Sequence, residues 1–218
     1  MFVGHYGPAL AGPRFAPVPL WALFVAVQFL DYLWGAFIAL GIEHVRIEPG
    51  FTAMSPFDLY HMPWSHSLVM ALVWSALLGL VWAGIAKRSK LAGGLVIAAA
   101  VFSHWLADLL VHVPDLPLWP GGPSVGFGLW DHVMWTLVAE FGVLIAGWLV
   151  YMSATRAKNA VGHYGPVILF ALLAVVYWMS HASPPPTNPA VAGPYVIGVY
   201  TLLAFLAWLL CDRVREAR

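Results

Sequence analysis

His104, Asp108 and His112 stand four residues apart in SHWLADLLVHVPDLP, residues 103 to 117, within an otherwise apolar run. Spacing of i, i+4 and i+8 puts all three on one face of a helix. An ionisable side chain in hydrocarbon costs at least a few kcal/mol, so such a stripe must face protein, water or a metal. Imidazole and carboxylate ligands suit Zn²⁺, Mn²⁺ or Fe²⁺, and no sulfur biases the choice because Cys211 is the lone cysteine. That single cysteine also excludes an internal disulfide and any Cys-based zinc or iron–sulfur site. Zinc with an open position is the first expectation, with manganese and iron as alternatives. Such an ion lowers the pKa of a bound water towards neutrality and supplies hydroxide for hydrolysis, while a nearby His or Asp moves protons.

The elements that must position these groups are membrane spans. The chain is 61% hydrophobic and 9% charged, and several apolar runs exceed the roughly 20 residues that cross a bilayer. The expected fold is all-α: a single polytopic domain over 1 to 218 with spans near 18 to 42, 66 to 86, 91 to 113, 129 to 152, 163 to 182 and 193 to 212. Ten basic residues balance ten acidic ones, so nothing in the charge points to nucleic acid. The first span is too long for a signal-peptide core and lacks a small-residue cleavage site, so no cleaved leader is expected. Lys87, Arg88, Lys90, Arg156, Lys158, Arg213, Arg215 and Arg218 fall on one side of the predicted spans, and only Arg46 falls in the loops of the other. The positive-inside rule then predicts a plasma (inner) membrane protein with both termini cytoplasmic and with outer loops at 43 to 65, 114 to 128 and 183 to 192. Trp21, Trp64, Trp119, Trp130 and Trp208 near span ends read as interfacial anchors.

Helical rise converts sequence position into depth. Asp31 and His104 each lie roughly 20 Å from the cytoplasmic start of a span, with Asp108 roughly 6 Å further out. His66 opens span two, so Asp31, His66, His104 and Asp108 are expected to converge in the outer leaflet. Glu140, about 15 Å in from the outer face, suits a supporting position or a proton relay. His112 lies about 12 Å beyond His104 along the axis, too far to share its ion unless the helix ends and folds back before Pro114. His112, His61 and Asp115 are therefore expected beside the metal as proton-transfer groups. In HMPWSHSLVMAL, Pro63 with Ser65 or Ser67 reads as a capped helix entry that projects His66 from the first turn. VGHYGP occurs at 3 to 8 and again at 161 to 166, each time at a span entry, and reads as a local helix-entry motif.

These motifs carry a resemblance. GHYGPAL with His5, QFLDYLWG with Asp31, HMPWSHSL with His61 and His66, and FSHWLADLL with His104 and Asp108 follow one another over about residues 4 to 120. In order and spacing they resemble the LexA-regulated, membrane-bound predicted metal-dependent hydrolases of bacteria. The resemblance implies a metal-binding half over about 1 to 120, with His5 among the ligands, and helices 129 to 212 as support. It also implies hydrolase chemistry; the position of the site adds a membrane lipid or lipid-linked ester or phosphoester as substrate. Met62 and Pro63 replace the family's basic residue and glycine, and its Asp-rich element retains only Asp31, which argues for one metal rather than two. His5 falls on the cytoplasmic side of the predicted topology, so it reaches the site only if residues 1 to 16 form a re-entrant segment.

Three other classes compete. Intramembrane Asp31, Asp108, Glu140 and histidines would also suit a proton or divalent-metal transporter, but that needs a polar trail to the cytoplasmic side, and the inner halves of the spans are apolar. Bis-His haem binding would use His66, His104 or His112, against which the interleaved carboxylates argue. The last class is a subunit without chemistry, in which the carboxylates simply pair with neighbouring histidines.

Overall fold

The computed structural model describes residues 1–185 and 188–218, so part of the Pro-rich loop expected at 183 to 192 lies outside the described residues. The chain begins with a 3₁₀ turn (Val3–His5) and a short α1 (Tyr6–Ala11), both packed inside the bundle. The first expected span is two helices, α2 (Leu20–Val27) and α3 (Phe29–Ala39), bent by 53°. A hairpin of β1 (His44–Ile47) and β2 (Phe57–His61) follows. Then come α4 (Leu68–Ile85), α5 (Lys90–Val111), a two-residue ladder of β3 (Leu116–Pro117) with β4 (Ser124–Val125), and α6 (Val133–Ala154). After β5 (Thr155–Ala157) run α7 (Ala160–Ala182), α8 (Pro189–Ala207) with a π turn to Asp212, and β6 (Arg215–Ala217). Among the described residues five helices are long and apolar enough to span a membrane, and six if the bent pair is one span. This is the mostly helical, multi-pass architecture that the apolar runs predict.

Local chemistry sets the helix ends. Ser67 caps α4 by accepting from the Met70 amide, Asn159 caps α7 from Gly162, and Asn188 caps α8 from Ala190 with Pro189 in the first turn. Leu77, Leu80, Val81 and Ile85 of α4 face outward, which is unfavourable in water and ordinary against lipid. Inside the bundle, glycines let backbones approach where van der Waals contact must do the work of packing. Gly79 of α4 meets Gly94 of α5, Gly35 of α3 meets Gly193 of α8, and Gly7 of α1 meets Gly147 of α6. In each pair a Cβ on one glycine would strike the carbonyl of the other.

The two ends of the bundle differ. At the basic end, β5 pairs with β6, Arg215 donates to the Thr155 hydroxyl and to the Thr155 and Gly162 carbonyls, and Asp212 accepts from the Leu20 and Trp21 amides at the start of α2. At the other end the two short hairpins form a cap, with Val45, Leu59, Met62 and Leu116 buried against Trp34 and Ile38 of α3.

Candidate metal centre

Asp31 from α3, His66 from the turn entering α4, and His104 and Asp108 from α5 meet in one cluster beneath the cap. His66 Nε2 lies 3.3 Å from His104 Nε2, 3.4 Å from Asp31 Oδ1 and 3.7 Å from Asp108 Oδ2. His104 Nε2 lies 3.7 Å from Asp31 Oδ1 and 3.0 Å from Asp108 Oδ2. Atoms that share one zinc at about 2.0–2.2 Å stand about 3–3.5 Å from one another, so these separations are close to those of ligands around an ion. Asp31, His66 and His104 alone form a His₂Asp triad, and Asp108 closes it from the α5 side.

The far nitrogen of each ring is held by an acceptor. His104 Nδ1 donates to the Val27 carbonyl at 2.6 Å, at the break between α2 and α3. Ser65 Oγ donates to the Glu43 carboxylate at 2.5 Å, so it can only accept from His66 Nδ1, 2.8 Å away. Glu43 is itself fixed by the amides of Trp64 and Ser65, each at 2.8 Å. Both imidazoles therefore donate from Nδ1 and aim Nε2 at the same point. Two Nε2 atoms facing each other at 3.3 Å, beside two carboxylates, need a proton or a metal cation between them. This is the hydrogen-bonded support that metal-binding histidines ordinarily have. The Tyr200 hydroxyl donates to Asp31 Oδ2 at 2.9 Å, which turns Oδ1 towards the histidines. Asp31 is also the open edge of the cluster, its side chain 19% exposed against 1% for His104.

His5 joins from the opposite side. Its Nε2 lies 3.1 Å from Asp108 Oδ1, and its ring stacks on His104 with centroids 3.8 Å apart and planes 4° from parallel. The Met1 nitrogen is 2.5 Å from the same carboxylate oxygen. This approach depends on Glu140, whose two oxygens accept from the Phe2 and Gly4 amides at 2.8 and 2.7 Å, and on the Gly7–Gly147 contact that lets α1 lie against α6. Residues 1–16 thus fold into the bundle, and Glu140 supports backbone instead of entering the cluster.

The three groups expected beside the metal separate. α5 stops at Val111, and His112 turns into extended backbone with ψ of 145°, two residues before Pro114. The turn brings His112 Nε2 to 3.7 Å from Asp108 Oδ1, while its Nδ1 donates to Asp115 Oδ1 at 2.8 Å. Asp115 therefore orients His112. His61 is not brought to the cluster: it is exposed on β2, paired with His44 across the hairpin, with the two rings 5.4 Å apart. It lines an outer groove of 520 Å³ together with Asp115, Trp64 and Pro120.

Sequence reasoning missed Glu43, Ser65 as the support of His66, and the Val27 carbonyl. Glu43 looks like any solvated loop carboxylate, and a backbone carbonyl freed by a helix break leaves no trace in residue type. The chain matches no family model, no curated protein and no solved structure.

Proposed function

We propose that this chain is a membrane-embedded, metal-dependent hydrolase whose ion is held by Asp31, His66, His104 and Asp108. The observation that carries the reading is the pair of Nε2 atoms 3.3 Å apart, each ring fixed from behind and each Nε2 flanked by carboxylate oxygens. A divalent ion bound there supplies Lewis acidity and activates water for attack on an ester or phosphoester. Zinc fits the donor set best, because two imidazoles and carboxylate oxygen without sulfur make an ordinary catalytic zinc site. Asp31, on the open edge, leaves the approach for substrate, and the buried faces of His104 and Asp108 keep the remaining sides dry. Position beneath the cap of an apolar bundle favours a lipid or lipid-linked substrate, and the resemblance of the motifs to those of the LexA-regulated membrane hydrolases supports hydrolysis over simple metal storage.

Transport is the weaker reading. The buried faces of α2 and of the first half of α5 present Leu20, Leu23, Phe24, Val27, Ile97 and Val101 towards the basic end, without a carboxylate or imidazole among the described residues. The test is an assay of the detergent-purified protein on three lipid classes: a phosphate monoester, a phosphodiester and a carboxylic ester. Turnover of one class, lost on chelation, restored by zinc and absent in His104→Ala, is the expected result. A zinc-loaded protein that hydrolyses none of the three would overturn the hydrolase reading.

A further inference from the structure

We infer that the outer groove between the two short hairpins of the cap binds the primary ammonium head group of a membrane lipid, with Asp115 as its acceptor and Trp64 as its aromatic wall. The groove is independent of the metal cluster: none of Asp31, His66, His104 and Asp108 lines it.

Its walls are set before any ligand arrives. Tyr60, Met62 and Trp64 line one side, where β2 runs on towards His66, and Pro117, Pro120 and Ser124 line the other. Residues 119 to 122 form a turn closed by the Gly122 amide, which donates to the Trp119 carbonyl at 2.8 Å. Pro120 at its second position and Gly121, with φ of 78°, at its third follow the pattern of a type II turn. Gly122 lies on the Trp119 ring, where a Cβ would come within 2.6 Å. Walls fixed in this way lose little freedom when a ligand binds, and 520 Å³ is the size of a small-molecule site.

The polar groups select a cation that can donate hydrogen bonds. Asp115 is the one carboxylate lining the groove among the described residues, and no lysine or arginine lines it. Asp115 Oδ1 accepts from His112, while Oδ2 has no hydrogen-bond partner among the described residues, although the side chain is only 11% exposed. The neighbouring acid, Glu43, is already used by the Trp64 and Ser65 amides and the Ser65 hydroxyl. A carboxylate oxygen so placed is best met by a charged N–H donor, and it disfavours a phosphate. The aromatic wall has the same preference. Tyr60 holds the Arg46 guanidinium 4.3 Å from its ring centroid, with Asp58 balancing that charge at 3.0 Å, and the exposed Trp64 ring offers a second cation the same kind of face. Trp64 and the exposed Trp119 stand at the cap end of the apolar spans, where indole rings meet lipid head groups, so the ammonium is that of a lipid.

The experiment offers the full-length protein in detergent an equimolar mixture of phosphatidylethanolamine and phosphatidylglycerol with the same acyl chains, and native mass spectrometry counts the lipid bound. The wild type should retain the ethanolamine lipid over the glycerol lipid by about tenfold, as one charge-assisted contact to a carboxylate gives. Asp115→Asn, which loses the charge, and Trp64→Leu, which loses the aromatic face, should each bring the ratio close to one with helical circular dichroism unchanged. Near-equal binding by the wild type overturns the inference without recourse to any variant, and so does a preference that survives either substitution. A preference without turnover leaves the groove standing and counts against the hydrolase reading alone; turnover without a preference does the reverse.

Discussion

His66, His104 and His112 are each aimed by one group behind the ring, and the weight of that support can be measured. Ser65 passes the Glu43 carboxylate's hold on to His66 without touching the cluster's inner edge. Ser65→Ala removes the acceptor that keeps His66 in the right tautomer, so zinc affinity should fall about 10–100-fold with the fold retained. Competition against a fluorescent chelator reads this directly, and unchanged affinity would show that His66 orients itself. Asp31→Asn keeps shape and loses charge. It should weaken zinc binding at the cluster, which chelator competition on the same protein would record.

At the scale of elements, breaks and close approaches build the site. The 53° bend after Val27 ends one helix where its carbonyl can meet His104, and the stop at Val111 turns His112 back onto Asp108. Freed backbone groups inside an apolar bundle need partners, and here a histidine provides one. α1 reaches the cluster because Glu140 satisfies two amides of the preceding turn and because Gly7 and Gly147 leave room for contact. Glu140→Ala leaves the Phe2 and Gly4 amides without acceptors, and each buried orphan costs about 1–3 kcal/mol. The thermal midpoint in detergent should drop by several degrees, and the N-terminal segment should become open to protease; a variant as stable and as resistant as wild type would show that the Gly7 contact alone holds the segment. The two VGHYGP copies share this packing device. Gly7 lies on α6 as Gly165 lies on the Leu210 carbonyl, while His5 is buried in the cluster and His163 is exposed.

For the whole molecule, the spans were legible because apolar length is a direct consequence of bilayer thickness, and the α5 stripe was legible because helical periodicity is fixed. Rise per residue puts Asp31 and His104 at one level, Asp108 about 6 Å further out and His66 at the opening of span two, near enough for the four to be expected to converge. The bend inside 18 to 42 was not legible, because Gln28 is no helix breaker; both helices pack on α8, and only α2 also packs closely on α1 and α5. Nor was the entry of residues 1–16, which depends on a carboxylate 136 residues away from the amide it binds. The basic residues gather at the end closed by β5 and β6, opposite the capped centre. Positive-inside reasoning then predicts cytoplasmic reporters after Ser89 and Asn159 and external ones near Thr52 and Pro185. A cytoplasmic reporter at Thr52 would move the centre to the inner face and reverse the side from which substrate comes.

The central claim is that the His–Asp cluster binds metal, and the zinc content of the purified protein before and after removal of one ligand tests it most directly. Wild-type protein should retain stoichiometric zinc through desalting, and His104→Ala should lose the ion held with Asp31 and His66 while keeping its helical circular dichroism. Equal zinc in the two proteins, or none in either after loading, would contradict the account.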